Sequence, residues 1–231
     1  MREYLHQFAF GIYPYVCLAV FLIGSLIRFD REQYTWKSDS SQMLRTGQLR
    51  WGSNLFHIGI LALFFGHLIG LLMPPAVYHA FGLSTAGKQM LAIVAGTVFG
   101  VMCLIGILLL VHRRLTEPRI RATSTRMDIF ILLWILVTLL LGLASIFWSL
   151  GHPDGSVMVL LGKWAQHIVT LRAGAADFIV GVEWIYKAHL VFGMTVFLLF
   201  PFSRLVHVWS GFAAVTYLTR AYQIVRSRSS P

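Results

Sequence analysis

The chain has 231 residues, of which 57% are hydrophobic and only 12% charged, with a mean hydropathy of +0.72. Soluble domains carry about 25% charged residues, so a soluble globular fold is excluded. The net charge of +10 does not point to nucleic acid, because the basic residues fall in short segments between apolar runs, the pattern of topology signals and anionic-lipid contact.

The first apolar run, residues 8–27, is long enough to cross a bilayer, which takes roughly 20 residues. It is too long for the h-region of a signal peptide and lacks a small-residue cleavage site, so no cleavable leader is expected. Pro14 stands near its start, where a helix tolerates proline. Residues 28–50 form a loop with Arg28, Arg31, Lys37, Arg45 and Arg50. The second span, residues 54–73, has no Asp, Glu, Lys or Arg but contains His57 and His67, and Pro74 and Pro75 stop it. Residues 76–87 carry no Lys or Arg. The third span covers 90–111 and is followed by Arg113, Arg114, Arg119, Arg121 and Arg126. The fourth covers 127–148. In the mixed segment 151–181, VMVLLGKWAQHIV reads as a short amphipathic surface helix. The fifth span, 184–209, holds His189 and His207, and the tail holds Arg220, Arg226 and Arg228. Cys17 and Cys103 each lie within an apolar run and are read as buried free thiols. The expected fold is an all-α membrane protein, one bundle of five transmembrane helices over residues 1–231, with no internal repeat.

Loops one and three and the tail carry the positive clusters and are placed on the cytoplasmic side of the membrane. The N-terminus is then outside and the C-terminus inside. His57 lies toward the inner leaflet and His67 toward the outer. Span five runs antiparallel to span two, so depth pairs His67 with His189 and His57 with His207. An ionisable side chain inside a spanning helix is costly and is read as functional, with a partner to be named. Two histidine pairs stacked on neighbouring helices suit two bis-imidazole haems, because haem iron offers two axial positions. Gly59, Gly66, Gly70 and Gly193 would leave room for the flat macrocycles. The ideal geometry is uneven. His57 and His67 rise about 15 Å along one helix and differ by about 80° in phase, whereas His189 and His207 share a face and rise about 27 Å.

Other roles stand beside this one. A single membrane histidine more often hydrogen-bonds across helices, although two on each of two antiparallel spans are harder to account for that way. Pairs at opposite depths do not make one zinc tetrahedron. A proton path would use such residues together with acids in the spans, and here only Asp128 and Glu183 stand at their edges. A transporter would show a polar pathway or an inverted repeat, and neither is visible. A haem-free membrane anchor is the remaining class. His6, His79, His112, His152 and His167 are read as interfacial or solvated. Trp51, Trp148, Trp184 and Trp209 form an aromatic belt. For Arg113, Arg114 and Arg204 topology anchoring is the simpler role and pairing with haem propionates the other.

IYPYV near the N-terminus, QYTWKSDSSQML in the first loop, SNLFHIGILALFFGHLIG in span two, HRRLTEPRIRATST after span three and HLVFGMTVFLLFPFSRLVHVWS in span five together resemble the gamma subunit of respiratory nitrate reductase, a membrane cytochrome b. The resemblance runs nearly the whole length and includes all four histidines in register; residues 151–181 are the least distinctive part. It implies a five-helix subunit of the cell inner membrane with two b haems, a distal one on His67 and His189 and a proximal one on His57 and His207. Menaquinol or ubiquinol would be oxidised near the distal haem, at Lys88 with Gly66 and His67. Taken from the residues alone, the commoner role of Lys88 is to anchor the helix end. Electrons would cross to a beta subunit with iron–sulfur clusters and an alpha subunit with a molybdenum cofactor, where nitrate becomes nitrite. This chain would not reduce nitrate alone. The partners would dock on the inner face, where anionic lipid is the competing account of the charge. The alternative is the cytochrome b of another quinone-linked complex, such as formate dehydrogenase or a hydrogenase.

Overall fold

The computed structural model describes residues 1–32 and 46–209, and all regular structure among them is helical. The loop stretch QYTWKSDSSQML and the tail lie outside the described residues. Five helices are long and apolar enough to span a membrane: Arg2–Arg31, Gly47–Leu72, Thr85–Thr116, Arg126–Leu150 and Trp184–Phe202.

The first span differs from expectation at its start. Helix α1 (Arg2–Gln7) continues through a π-helical turn, Phe8–Ile12, into α2 (Tyr13–Glu32), so Pro14 sits well inside the helix. Proline has no N–H, and its ring crowds the carbonyl four residues back, here that of Phe10. The widened π turn lies directly before it, a usual companion of such a disturbance. The Phe10 carbonyl, without its α-helical donor, accepts a hydrogen bond from Trp164 Nε1 at 2.9 Å. One proline thus ties the first span to the segment between spans four and five.

Helix α3 (Thr46–Leu72) is stopped by Pro74 and Pro75, as expected; the latter opens α4 (Pro75–Ala80). Helix α5 (Thr85–Thr116) begins with Ser84 Oγ accepting from the Gly87 N–H at 3.0 Å. After the short α6 (Pro118–Ala122), α7 (Arg126–Leu150) opens on a capping box, in which Thr125 Oγ1 accepts from Asp128 N–H and the Asp128 carboxylate accepts from Thr125 N–H. Helix α8 (Ser156–Val169) follows, then a 3-10 turn at Ala175–Ile179 and α9 (Trp184–Leu199). The expected surface helix is α8. Its apolar face, with Val157, Trp164 and Ile168, is buried against the bundle.

Helix α3 packs on α5, α5 on α7, α7 on α9 and α9 on α2, while α8 lies across α3. The α3–α5 seam is drawn tight by small residues, which let membrane helices approach without water-driven burial. A Cβ on Gly59 would lie 2.7 Å from the Cys103 backbone nitrogen, and one on Gly106 would run into the Phe56 backbone. Gly59 therefore serves helix packing, and the expectation that it makes room for a cofactor is corrected. Cys17 and Cys103 are buried free thiols. Among the described residues α3 and α9 show no backbone packing of that extent.

Span five is not one helix to residue 209. Pro201 has no N–H to give the Phe197 carbonyl, which accepts instead from the Phe200 N–H. The chain tightens into a 3-10 turn at Phe200–Phe202, runs extended through Ser203 (φ −123, ψ 177) and turns again at Arg204–Val206. Arg28 of α2 donates to the Pro201 carbonyl at 2.7 Å and to the Ser203 carbonyl at 2.9 Å. Gly24 leaves room for the proline ring, since a Cβ there would lie 2.8 Å from Pro201 Cγ. The ideal phase and rise between His189 and His207 therefore do not apply. Trp209, expected in an aromatic belt, instead packs on Phe21 and Phe200.

Candidate functional site

The structure brings the four span histidines together as two pairs. The His67 and His189 ring centroids are 5.8 Å apart, and those of His57 and His207 are 6.0 Å apart. Among the described residues no group of three or more metal-ligating side chains gathers, so the arrangement is two separate pairs of imidazoles.

Each ring is oriented by a backbone carbonyl. Nδ1 of His57 faces the Ser53 oxygen at 2.7 Å, that of His67 the Leu63 oxygen at 2.7 Å, that of His189 the Thr138 oxygen at 3.0 Å and that of His207 the Arg204 oxygen at 2.6 Å. A carbonyl oxygen only accepts, so each Nδ1 carries the hydrogen and each Nε2 keeps its lone pair. A backbone carbonyl on the far nitrogen is the usual second partner of a metal-bound imidazole.

The spacing also suits a metal between the rings. With metal–imidazole bonds of about 2 Å, as for zinc, two opposed imidazoles place their centroids roughly 6 Å apart. Rotation about that axis is free, so the interplanar angles of 43° and 79° are both compatible. The surroundings of the rings are partly open. His57 and His67 are solvent- or cofactor-accessible on α3, and a Cβ added at Gly66, Gly70 or Gly193 would meet nothing within 4 Å. The donor sets and their surroundings fit bis-imidazole haem.

Two residues of this site carried no sequence signal that was used. Gly142 on α7 approaches His189 so closely that a Cβ there would lie 2.8 Å from His189 Cε1. Thr138, one turn earlier, supplies the carbonyl that holds the same ring. Small residues four apart on span four, at the depth of His189, were the available clue.

Lys88 lies in the first turns of α5. Its Nζ donates to the Met73 carbonyl at 3.4 Å and stands 4.3 Å from the centre of the Tyr78 ring. It lines a cleft with Met73, Pro75, Tyr78, Gly162 and Gln166, under α8, where Gln166 Nε2 donates to the Leu71 carbonyl at 3.1 Å. Gly66 and His67 are not among the cleft walls; His67 sits about 9 Å down α3 from Met73. The remaining histidines lie near span ends, and two of them join distant segments: His6 Nε2 is 2.8 Å from the Ala176 carbonyl and His152 Nε2 is 3.1 Å from the Glu183 carboxylate. Arg204 Nε bonds the Asp128 carboxylate at 2.8 Å, and Arg114 lies 3.7 Å from its other oxygen.

Residues 6–228 match the family model described as nitrate reductase gamma subunit. The chain is 54% identical to the respiratory nitrate reductase 2 gamma chain of Escherichia coli (strain K12), over 99% of this chain and 100% of that one. It is 52% identical to the respiratory nitrate reductase 1 gamma chain of the same organism, over 98% and 99%. It is 38% identical to the nitrate reductase gamma chain of Bacillus subtilis (strain 168), over 96% and 99%.

Proposed function

The chain belongs to the nitrate reductase gamma subunit family and is a multi-pass membrane subunit of a nitrate reductase, which sets aside the formate dehydrogenase and hydrogenase alternatives; from that premise we propose that it oxidises quinol at the His67 end and hands the electrons to partner subunits at the His57 end. The His67 end faces outward on this reading, the His57 end faces the cytoplasm, and the membrane is the cell inner membrane. The partners are an iron–sulfur beta subunit and a molybdenum-cofactor alpha subunit, where nitrate is reduced to nitrite. The observation that carries the proposal is the two facing histidine pairs, each ring with its Nδ1–H held by a backbone carbonyl.

His67 with His189, and His57 with His207, would each hold one b haem, which would supply a one-electron carrier. The chain's own residues do the rest. The four carbonyls fix ring tautomer and direction, and so raise the basicity of Nε2. The Lys88 ammonium, held between the Met73 carbonyl and the Tyr78 ring, donates a hydrogen bond to a quinol oxygen and stabilises the negative charge that develops there as the protons leave. On this reading the quinol extends from the Lys88 cleft toward Gly66 and His67, which lie outside the cleft walls on the side of the histidine pair. Helix α8 covers this end of the bundle and limits access to the Lys88 cleft.

The test is composition and reduction together. The purified complex is expected to show two b haems per gamma chain by pyridine haemochrome, both reducible by menaquinol or ubiquinol. One haem or none per chain would overturn the reading.

A further inference from the structure

We propose that Asp128 is a positioning residue for His207: through Arg204 it fixes the broken end of span five and so tunes the iron held by the His57–His207 pair. The proposal rests on the dihaem reading above.

His207 is the one histidine of the four that follows a break in its span. It follows the Pro201 break and the extended Ser203, a stretch with no continuous hydrogen-bond ladder to hold it. Its ring is aimed by the Arg204 carbonyl, 2.6 Å from Nδ1. The side chain of that same Arg204 reaches the Asp128 carboxylate at 2.8 Å. Asp128 is itself immobilised: its backbone N–H and its carboxylate are both engaged with Thr125 in the capping box of α7, and its side chain is only 11% exposed. One residue, Arg204, therefore receives an anchor through its guanidinium and gives one through its carbonyl. The path from the start of α7 to the imidazole is a carboxylate, a guanidinium, a short stretch of backbone and an Nδ1–H. Arg28 holds the other side of the break, on the carbonyls of Pro201 and Ser203.

Two consequences of losing the Asp128 charge act in the same direction. A looser Arg204 carbonyl weakens the hydrogen bond to His207 Nδ1 and lowers the basicity of the ligand nitrogen, which favours the reduced iron. An Arg204 cation without its counter-charge also favours the electron-richer state. The midpoint potential of the His57–His207 component should rise. The His67–His189 component, whose rings are held by Leu63 and Thr138, should not move, and this makes it an internal control within the same molecule.

The experiment is a redox titration with low-temperature EPR of the low-spin haem signals, on membranes holding the full complex with wild-type chain, Asp128→Asn, Asp128→Glu or Arg204→Lys. Expected are an upward shift, an altered EPR g-tensor or outright loss of one component in Asp128→Asn, with the other as in wild type. Asp128→Glu, which keeps the charge, should lie nearer the wild type, and Arg204→Lys, which loses the Nε–H donor, should resemble Asp128→Asn. Two unchanged components in Asp128→Asn would overturn the proposal. So would loss or displacement of both components together in Asp128→Asn and Arg204→Lys, since that would make the ion pair a prop of the whole bundle. A wild-type complex without two b components would sink the dihaem reading itself, and would show before any variant is made.

Discussion

The two histidine pairs reach nearly the same ring separation by different means. At the His67–His189 end, both residues stand within long helices, α3 and α9, and the close fit is provided by a third helix. Thr138 holds the His189 ring and Gly142 lets it lie flat against α7. At the His57–His207 end, one ring stands on α3 and the other beyond a proline break, held by charged residues of α2 and α7. The first pair is made by regular helix geometry and one missing side chain. The second is made by irregular backbone whose freed polar groups are paid for with arginines. Irregular backbone at membrane depth is tolerated only where protein satisfies it, so the second pair is coupled to its surroundings in a way that the first is not.

The largest test separates the pairs outright. His67→Ala or His189→Ala should remove one b component from a redox titration of the complex, and His57→Ala or His207→Ala the other. Finding that His67→Ala and His207→Ala delete the same component would break the pairing and the comparison built on it.

Next in size is a test of which end takes the substrate. Lys88→Ala should slow quinol-driven haem reduction by roughly 100-fold or more, the cost of losing one well-placed donor to developing charge, while haem content stays at wild-type level. Normal stopped-flow kinetics in that variant would leave Lys88 a helix anchor and move the quinol site elsewhere around His67.

A steric change should strike only the regular pair. Gly142→Leu places a branched side chain where His189 lies, and overpacking of this kind costs about 1–3 kcal/mol. The His67–His189 component should be displaced in potential or lost from the spectrum, with Gly142→Ala milder and the other component untouched. Equal effects on both components would mean that α7 supports the two pairs jointly.

The smallest effect belongs to the irregular pair. Arg28→Ala leaves the Pro201 and Ser203 carbonyls without that donor, at a cost of about 1–3 kcal/mol. On heating, the His57–His207 component should bleach at a lower temperature than in wild type, and the His67–His189 component at its usual temperature. Identical melting of both would show that the break does not need its arginine.

Much of this was legible in the chain. Span existence and order follow from apolar length, and the structure agrees to within a few residues for spans three and four, where Ser84 and Thr125 mark the starts. The surface helix in residues 151–181 was visible from its amphipathic pattern. The two prolines inside spans are the least legible features. Pro14 near the start of an apolar run and Pro201 within one do not declare their effect, because it depends on whether some other group can serve the carbonyl each strands. Trp164, far away in sequence, does so for Phe10; the Phe200 N–H does so for Phe197, while the distant Arg28 serves the carbonyls of Pro201 and Ser203 beyond the break. Gly59 was misread for the same reason, since a glycine that makes room does not say for what.

By itself the sequence determined that this is a membrane protein of five spans, with His57 and His67 in span two and His189 in span five. Those properties are local: apolar length sets a span, charge sets the loops, and residue count sets depth at about 1.5 Å per residue. Only the tertiary structure decided that the histidines face each other in two pairs, that α7 backs His189, and that Asp128 and Arg28 hold the segment carrying His207. Those are matters of which helix lies beside which, and stranded carbonyls, buried charges and missing side chains acquire a meaning only once their neighbours are in place.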